Sequence, residues 1–340
     1  MKNICLIGHG MMGIWHAEAL RGHPGARLHS VVGRDLPQVR GFADQYGFAK
    51  ASVNMVEAVN DPEVDAVIIA GPSESHAAMA MEVIRAGKPV LVEIPIGMTL
   101  EAAEAVVRAA EAAGVMLAVS HPMRFRPERR EMLARIRAGE ETPRHVHGRF
   151  FIHRLVNIGA TGIKRNWIDN ILWHHSTHLL DLGLWLVGKG DPEAGEARVR
   201  RVQSFMSGID PHTGTPMEVA VLIETHDEQS ILATGSYYAR ERIYDTFVVT
   251  DRDSYRLDEL SATLTTGAGT GPALSEHENA WAIARDFVAA LNEARAPLVT
   301  GRSVLPVMRV LERVQREWDA RHGEQSIPGR PLDQFNVAVV

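Results

Sequence analysis

Short, continuous runs of apolar residues alternate with longer amphipathic segments through the first third of the chain. The first run, residues 3–7, leads into a glycine-rich turn and then into a helical segment at 14–20. Runs without internal alternation are typical of strands buried on both faces. Their alternation with helices predicts a doubly wound parallel sheet. The other strands are expected at 28–32, 64–70, 89–93 and 115–119, and the other helices at 75–86 and 99–113.

The pattern changes after residue 127 to runs in which apolar and polar residues alternate. Alternation of this kind predicts a mostly antiparallel sheet with one covered and one open face. We therefore expect an α/β protein with a second, α+β domain, whose open sheet face would join copies of the chain into a homo-oligomer, most simply a homodimer. The predicted strands are 147–154, 201–206, 218–224, 230–238 and 244–250, the predicted helices are 128–138, 278–294 and 305–321, and residues 265–271 are expected to form a flexible loop.

The length of the chain agrees with two domains, and its net charge narrows the classes of partner. A chain of 340 residues is longer than one core usually organises, and we place the domains at 1–122 and 123–340. The net charge of -6 gives no reason to expect nucleic acid or an anionic membrane, and no apolar run is long enough to span a bilayer. No signal-type segment precedes the first strand, and Cys5 is the only cysteine, so we expect a cytoplasmic protein.

The turn after the first strand has the spacing of a dinucleotide-binding loop. Three glycines stand in the order G-x-G-x-x-G between a strand and a helix, which is the context that this motif requires. Gly8 permits the tight turn, Gly10 lets the backbone approach a pyrophosphate, and Gly13 lets the helix pack on the strand. The first domain is therefore predicted to be a Rossmann domain. The predicted cofactor contacts in the turn are Gly8, His9, Gly10, Met11, Met12 and Gly13.

The end of the second strand bears on the choice between NADP and NAD. Proteins that prefer NAD usually carry an acidic residue about 20 residues beyond the glycines, where it binds the ribose 2′-hydroxyl. Here Gly33 and Arg34 stand at that place, and Asp35 follows. A guanidinium can pair with a 2′-phosphate through its planar fork, which favours NADP. Asp35 leaves NAD as the alternative.

One predicted helix of the second domain carries three side chains suited to acid–base chemistry. In an α-helix His174, His178 and Asp181 would fall at i, i+4 and i+7 and share one face. Two imidazoles and a carboxylate on one face can move protons, bind a metal ion or orient a polar ligand.

Ligands of a doubly wound sheet bind at the C-terminal strand ends. The residues expected there are Gly71, Pro72, Glu93 and His121.

Taken in order, the motifs of the chain resemble those of the Gfo/Idh/MocA oxidoreductase family. The resemblance runs over nearly the whole length. It implies a nicotinamide-dependent dehydrogenase acting on a CH–OH group, with His76 and Glu93 beside the cofactor. Beyond the glycine turn, the shared features are His16, Gly71-Pro72 followed by His76, Gly87-Lys88-Pro89-Val90, Glu93-Ile94-Pro95, Arg124-Phe125-Arg126-Pro127, and His178 with Asp181.

The chain differs from the usual family motifs at two positions, and at both it resembles a smaller group within that family. The usual Glu-Lys-Pro motif contains a lysine that assists proton removal, and Ile94 replaces it here. His174 stands where many members have aspartate. Members of the smaller group oxidise the cyclic hemiacetal of an aromatic ring-cleavage product to 2-pyrone-4,6-dicarboxylate with NADP. The resemblance implies the same reaction, or one on a close analogue, and hence aromatic compound catabolism.

Within this resemblance His178 is the expected base, because a neutral imidazole accepts a proton near pH 7. His174 would bind the substrate or share that proton, and Glu93 would act at the nicotinamide. Asp181 either orients a histidine or forms a salt bridge.

A dicarboxylate substrate requires cations, since guanidinium groups pair with carboxylates in bidentate fashion. Arg124 and Arg154 are the expected contacts. Trp167 and Trp173 are the expected walls of the substrate pocket, although large aromatic residues also belong to ordinary cores.

Three other functions remain open. The chain could be a sugar or polyol dehydrogenase of the same family. It could be a metal enzyme, because His-x-x-x-His on a helix is a zinc-binding geometry and Asp181 could complete it. It could also be a non-catalytic nucleotide-sensing regulator, since a fold does not fix a function and the usual lysine is replaced.

Overall fold

A computed structural model describes residues 1–158 and 170–322 of the chain. The N-terminal part forms a six-stranded parallel sheet whose central strands are almost wholly buried. Its strands are β1 (Lys2–Ile7), β2 (Ala26–Val32), β3 (Lys50–Ser52), β4 (Ala66–Ile69), β5 (Val90–Val92) and β6 (Leu117–Val119). The order across the sheet is β3-β2-β1-β4-β5-β6, so the chain reverses direction after β3. The crevice at that reversal is where a doubly wound sheet binds its ligand.

Helices connect these strands, and their ends are satisfied locally. Asp35, Asn54 and Thr99 each accept a hydrogen bond from a backbone N–H in the first turn of the helix that follows. Gly47 and Gly114 end two helices in the left-handed conformation, which glycine adopts without steric cost. The helices are α1 (Met11–Leu20), α2 (Leu36–Tyr46), α3 (Met55–Asn60), α4 (His76–Arg85) and α5 (Leu100–Ala113).

Helix α6 (Pro127–Arg137) leads into an eight-stranded sheet that is antiparallel apart from one central pair. Its strands are β7 (Pro143–His153), β8 (Val199–Met206), β9 (Glu218–Thr225), β10 (Ser230–Ser236), β11 (Tyr238–Thr250), β12 (Ser254–Asp258), β13 (Thr263–Thr266) and β14 (Gly269–Pro272). The order is β14-β13-β12-β11-β7-β10-β9-β8, with β7 and β10 parallel. The predicted fold class, a Rossmann sheet followed by a larger, mostly antiparallel sheet, is confirmed.

Helix α7 (Thr177–Val187) covers one face of this second sheet at very short range. A Cβ atom at Gly148 of β7 would lie 2.6 Å from the Leu179 side chain, and one at Gly183 of α7 would lie 2.2 Å from Ile231 of β10. The missing side chains let helix and sheet approach, which fixes the height of α7 above the sheet. A short helix, α8 (Pro192–Ala197), follows.

The last two helices return to the first sheet. Helix α9 (Glu276–Glu293) packs against α1, and Arg285 donates to the carbonyl of Ala19 at 3.3 Å. Residues 299–301 pair with β6, since the N–H of Val119 donates to Val299 and that of Gly301 to Leu117. Helix α10 (Leu305–His322) then packs on both α5 and α7. The predicted boundary at residue 122 remains a prediction, but part of the C-terminal segment lies against the first sheet.

Several elements differ from the expectations. Residues 263–272 form a hairpin of two short edge strands where a flexible loop was predicted, and that expectation was wrong. The segment α2-β3-α3 was not predicted. No helix in the described part of the chain is both long and apolar enough to cross a membrane.

Candidate active site

The turn between β1 and α1 is shaped to exclude side chains at two glycines. Gly8 has φ +102°, and a Cβ atom there would lie 2.3 Å from the carbonyl oxygen of Ala70. A Cβ atom at Gly13 would lie 2.3 Å from the carbonyl oxygen of Gly8. The turn therefore lies directly against the end of β4 and against Gly71, whose nitrogen would be 2.9 Å from the Gly8 Cβ. This close packing fits a loop that presents its backbone to a pyrophosphate.

The first turn of α1 also fits an anionic ligand. Helix α1 begins at Met11, and Gly10 precedes it without any side chain that could cap the first N–H groups. Uncapped N–H groups at a helix N-terminus bind phosphate readily. Met11 is exposed and Met12 half-buried, and their contact with a cofactor stays a prediction. The glycine turn and this helix end are what a dinucleotide requires.

The end of β2 brings His9 and Gly33 together. A Cβ atom at Gly33 would lie 2.5 Å from Nδ1 of His9, so the imidazole occupies the space that glycine leaves open. Burial lowers the pKa of His9, a hydrogen bond with Gln38 opposes this, and the nearby charge of Arg34 lowers the pKa further. Arg34 is exposed, whereas Asp35 accepts the N–H of Gln38 at 2.9 Å as the cap of α2. Arg34 is therefore available to a ligand at this strand end, and Asp35 has one of its two carboxylate oxygens in a hydrogen bond.

His76 joins two backbone segments of the crevice. Its Nδ1 lies 2.8 Å from the carbonyl oxygen of Pro95 and its Nε2 lies 2.9 Å from that of Gly71. The residue is 1% exposed. Since both ring nitrogens face backbone oxygens, His76 holds the loops after β4 and β5 together, and the expected direct contact with the cofactor is not supported. Gly71 and Pro72 lie where they were expected, at the end of β4.

Glu93 follows β5 and is nearly buried. Its Oε1 lies 2.7 Å from Nε2 of His16, which is 2% exposed on α1. The pair links the strand end to the helix that starts at the glycine turn. It fixes one carboxylate oxygen of Glu93 and so orients the other.

The segment that carries the two expected catalytic histidines is not a regular α-helix. Residues Leu172–Ser176 form a π-helical turn, and α7 continues from Thr177. A π-turn inserts an extra residue, so the predicted α-helical spacing from His174 to His178 does not hold. The spacing of His178 and Asp181 within α7 does hold. π-turns of this kind are frequent at functional sites.

His178 is half-buried on α7, with its ring against that of His121 at the end of β6. Desolvation lowers its pKa to about 3, and the proximity of His121 and His174 acts in the same direction. The charges of Glu93 and Asp181 oppose this shift, so both carboxylates lie within electrostatic range. Burial therefore favours the neutral imidazole, and a ring with so low a pKa acts as a base only where a neighbouring group stabilises the imidazolium that forms.

His174 lies within electrostatic range of His178 and takes part in a stack of rings. Its ring lies 4.0 Å from that of His175, which in turn lies 3.4 Å from Phe150 of β7. His175 also contacts the hydroxyl of Tyr237 at 3.1 Å. Burial lowers the pKa of His175 well below its usual value, and the charges of His174 and Arg154 add to this effect. The stack forms one wall beside the candidate base.

Arg124 is engaged inside the protein. Its Nε donates to Oδ2 of Asp181 at 2.7 Å and its Nη2 to Oδ1, while Nη1 and Nη2 also bind Ser303. Both charged residues are 1% exposed. The expected contact of Arg124 with a substrate carboxylate is therefore replaced by a buried ion pair, because its donors are already used. Of the two roles considered for Asp181, the salt bridge is observed, and its Oδ2 also lies 3.3 Å from Nδ1 of His121.

The remaining predicted contacts have different outcomes. Arg154 is half-buried beside Tyr237, with its guanidinium carbon 5.9 Å from that ring, and its charge reaches His175. It therefore lies near the ring stack and also donates to Asn157 at 2.5 Å, and its contact with a substrate stays a prediction. Trp173 is 3% exposed and donates to Gln315 of α10 at 3.0 Å, so it belongs to the core and not to a pocket wall. Trp167 lies outside the described residues.

Two residues near the site were given no chemical role by the sequence, although His121 was expected at the ligand-binding edge of the sheet. His121 follows β6, is 1% exposed and contacts His178 with a ring separation of 5.4 Å. Its position after a predicted strand was the available signal. Arg242 lies in β11, in the stretch between Tyr238 and Ile243 where the pairing with β7 shifts, and its charge reaches His175. A register shift of this kind cannot be predicted from apolar spacing alone.

Groups with metal-binding geometry occur elsewhere in the described residues. His29, Asp61 and Glu63 come together, and the ammonium of Lys50 already lies 2.7 Å from Asp61 and 2.9 Å from Glu63. Asp181 instead directs both oxygens to a guanidinium. The predicted alternative in which it joins the two histidines as a metal ligand is therefore not supported by the geometry.

Comparison with protein families gives two matches that together cover most of the chain. Residues 2–121 match the family described as "Oxidoreductase family, NAD-binding Rossmann fold" (GFO_IDH_MocA). Residues 127–263 match the family described as "Bacterial oxidoreductases, C-terminal". The first match contains the glycine turn and Glu93, and the second contains His174 and His178.

Known proteins are similar over the same span. The chain is 27% identical over 327 residues to a 4-carboxy-2-hydroxymuconate-6-semialdehyde dehydrogenase from Sphingobium sp., covering 91% of this chain and 96% of that protein. It is 32% identical over 190 residues to inositol 2-dehydrogenase 2 from Saccharopolyspora erythraea, covering 55% and 54%. An oxidoreductase from Agrobacterium radiobacter, solved with NAD⁺, L-tartaric acid and magnesium, shares the fold with a TM-score of 0.77 at 18% identity, covering 95% and 97%.

Proposed function

Because the chain belongs to the Gfo/Idh/MocA oxidoreductase family and is a nicotinamide-dependent dehydrogenase, we propose that it oxidises the cyclic hemiacetal of an aromatic ring-cleavage product. The product would be 2-pyrone-4,6-dicarboxylate or a close analogue. Similarity over 91% of the chain to a protein of that named activity supports the substrate. The position of His178, whose ring contacts His121 at the end of β6 and lies within electrostatic range of Glu93, supports the chemistry, and it is the observation on which the proposal depends.

The residues of the crevice account for each requirement of the reaction. A bound nicotinamide supplies the hydride acceptor. The glycine turn and the first turn of α1 would hold its pyrophosphate, and the free oxygen of Glu93 would contact its ribose or amide. His178 takes the proton of the substrate hydroxyl while the carbon of that hydroxyl loses hydride. A hemiacetal hydroxyl is more acidic than that of a simple alcohol, so a neutral imidazole suffices where other members have a lysine.

Arg34 and His9 support NADP as the preferred cofactor. Arg34 is exposed at the end of β2, and its charge reaches His9 against Gly33. A 2′-phosphate beside them would meet two nitrogen-rich side chains, whereas the exposed Asp35 uses one carboxylate oxygen to cap α2. In Arg34→Ala, KM for NADP is expected to rise roughly 10- to 100-fold, while KM for NAD stays within about twofold. An equal change for both cofactors would remove the support for NADP.

Arg154 and Arg242 support an anionic substrate. The charges of both guanidinium groups lower the pKa of His175, which belongs to the ring stack next to the candidate base. A dicarboxylate in this part of the crevice would be neutralised by two guanidinium groups. In Arg154→Met, KM for the dicarboxylate hemiacetal is expected to rise about tenfold or more, with a much smaller change for uncharged polyols.

The decisive experiment follows reduced-nicotinamide absorbance with the ring-cleavage hemiacetal and a panel of inositols and aldoses, each with NADP and NAD. Turnover of the hemiacetal with NADP at a kcat/KM well above that of every polyol is the expected result. In His178→Ala, kcat is expected to fall about 10²- to 10⁴-fold. His153→Ala, which alters an exposed histidine of β7, is the matched control. Full turnover by His178→Ala would refute the assignment of the base.

A sugar or polyol dehydrogenase is the second candidate. The local identity to inositol 2-dehydrogenases, at 32% and 30% over about half of the chain, favours it. It predicts that an inositol or aldose is the best substrate in the same panel and that Arg154→Met leaves its KM unchanged.

The open face of the eight-stranded sheet supports a homodimer. Phe205 and Phe247 are 55% and 37% exposed on that face. The register from β11 through β7, β10 and β9 to β8 brings Leu232 and Leu222 onto the same face between them. An exposed apolar sheet face of this extent is typical of a surface that another chain covers.

A further inference from the structure

His121 is a buried titratable residue at the site whose contacts connect the base to a carboxylate. Its ring meets that of His178 edge to face, with 5.4 Å between centroids and an interplanar angle of 83°. Its Nδ1 lies 3.3 Å from Oδ2 of Asp181. Asp181 is on the same helix as His178, one turn further along. The three side chains therefore form a continuous chain of contacts from the crevice into the core.

Both imidazoles leave a buried nitrogen unpaired. Nδ1 of His178 and Nδ1 of His121 have no well-aligned hydrogen-bond partner among the described residues. Buried polar atoms are normally paired, because an unpaired one loses its bond to water without replacement. A histidine that accepts a proton on one ring nitrogen must carry hydrogen on the other, and the group that binds this hydrogen fixes the tautomer. The unpaired Nδ1 of His178 thus marks the place for such a group.

We propose that His121 is a positioning residue that accepts the Nδ1 hydrogen of His178 and is itself oriented by Asp181. The step rests on the proposed function of His178 as the base. The substrate O–H bond breaks and its proton binds Nε2 of His178, while the C–H electron pair leaves with its hydrogen as hydride to the nicotinamide and the carbon becomes a carbonyl. His121 accepts at Nε2 and turns its Nδ1 hydrogen towards Asp181. It thereby stabilises the imidazolium that His178 becomes.

The other groups that face His178 are already committed to other partners. Oε1 of Glu93 is bonded to His16 at 2.7 Å and its other oxygen is assigned to the cofactor, while Asp181 binds Arg124 and faces Nδ1 of His121 through Oδ2. His174 is stacked on His175. Burial and the charge of Arg124 hold the pKa of His121 well below its usual value, so its ring is neutral and has a lone pair to accept with. The ring separation is small enough for rotation about the side-chain bonds to bring two nitrogens into hydrogen-bonding distance.

The test compares His121→Phe, which keeps the ring volume without nitrogens, with His121→Gln, which restores an acceptor. In His121→Phe, kcat is expected to fall at least about tenfold, with KM and the cofactor Kd within about twofold, because orientation of the base is lost and binding is kept. His121→Gln is expected to recover part of kcat. A purely structural role would change melting temperature and binding together and would give no recovery.

A second measurement does not depend on turnover. The ¹⁵N chemical shifts of the imidazoles in the free wild-type enzyme report which nitrogen of His178 carries hydrogen. We expect the Nδ1–H tautomer in wild type and a mixture of tautomers in His121→Phe. The Nε2–H tautomer in wild type, or an unchanged kcat in a folded His121→Phe, would overturn the inference. Turnover by His178→Ala would instead overturn the assignment of the base, so the two failures are distinguishable.

Discussion

Removing the charge of Asp181 should destabilise the protein strongly, because this carboxylate is the counter-ion of a guanidinium that water cannot reach. Arg124 and Asp181 are each 1% exposed, and both carboxylate oxygens accept from the guanidinium. In Asp181→Asn the cation remains buried without a counter-ion. Breaking one partner of a buried pair costs about 3–5 kcal/mol. For a domain of this size that corresponds to a decrease in Tm of about 6–20 °C.

The chain offers a control pair with the same bonding and a different environment. Arg302 binds Glu111 through Nε and Nη2, each at 2.7 Å, but the two side chains are 57% and 44% exposed. Water and salt replace such a pair, so Glu111→Gln should leave the denaturation midpoint almost unchanged. The comparison separates burial from hydrogen-bond geometry.

The assay is urea denaturation followed by tryptophan fluorescence and by circular dichroism, since coincident curves justify a single free energy of unfolding. The double variant Arg124→Met with Asp181→Leu should be more stable than Asp181→Asn, because it removes both buried charges. The reasoning would be refuted if Asp181→Asn cost less than about 1 kcal/mol, or if Glu111→Gln cost as much as Asp181→Asn.

Three further predictions follow from the same structure. The pKa of His178 is lowered to about 3 in the folded chain. At a pH below the ordinary pKa of histidine, the unfolded chain therefore binds a proton that the folded chain excludes. Tm should rise from about pH 5 to pH 7, and a flat or falling Tm would contradict this. Gly183→Ala should cost roughly 1–3 kcal/mol in the same denaturation assay and lower kcat, because its Cβ would lie 2.2 Å from Ile231 and lift α7 off the sheet, whereas Gly41→Ala, with open space around it, should be neutral or stabilising. Phe247→Arg should shift the mass measured by light scattering from dimer towards monomer, and an unchanged mass would remove this sheet face as the interface.

The parallel sheet was predictable because its strands are continuous apolar runs that only burial on both faces explains. Apolar spacing failed where it carries little information. Residues 263–272 are rich in threonine and glycine and form an edge hairpin, so their low apolar content resembled a loop. Helix α3 and strand β3 have six and three residues, too few to establish a period.

The sequence indicated which side chains could carry acid–base chemistry, but it did not indicate which side chains pair with one another. His178 and Glu93 come into electrostatic range as the motifs imply. The partner of Arg124 is 57 residues away in the sequence, so the motif could not distinguish a substrate contact from an internal ion pair. The π-turn at 172–176 was missed for a similar reason, because helical periodicity does not register a single inserted residue.

The return of α9 to α1 means that the nucleotide-binding lobe is not one uninterrupted stretch of the gene. Its first helix is synthesised some 260 residues before the helix that covers it. A fragment ending at residue 122 would expose the face of α1 that α9 covers. During synthesis this face stays uncovered until the C-terminal segment has been translated. Grafting this lobe onto another protein would therefore require carrying residues 276–301 with it.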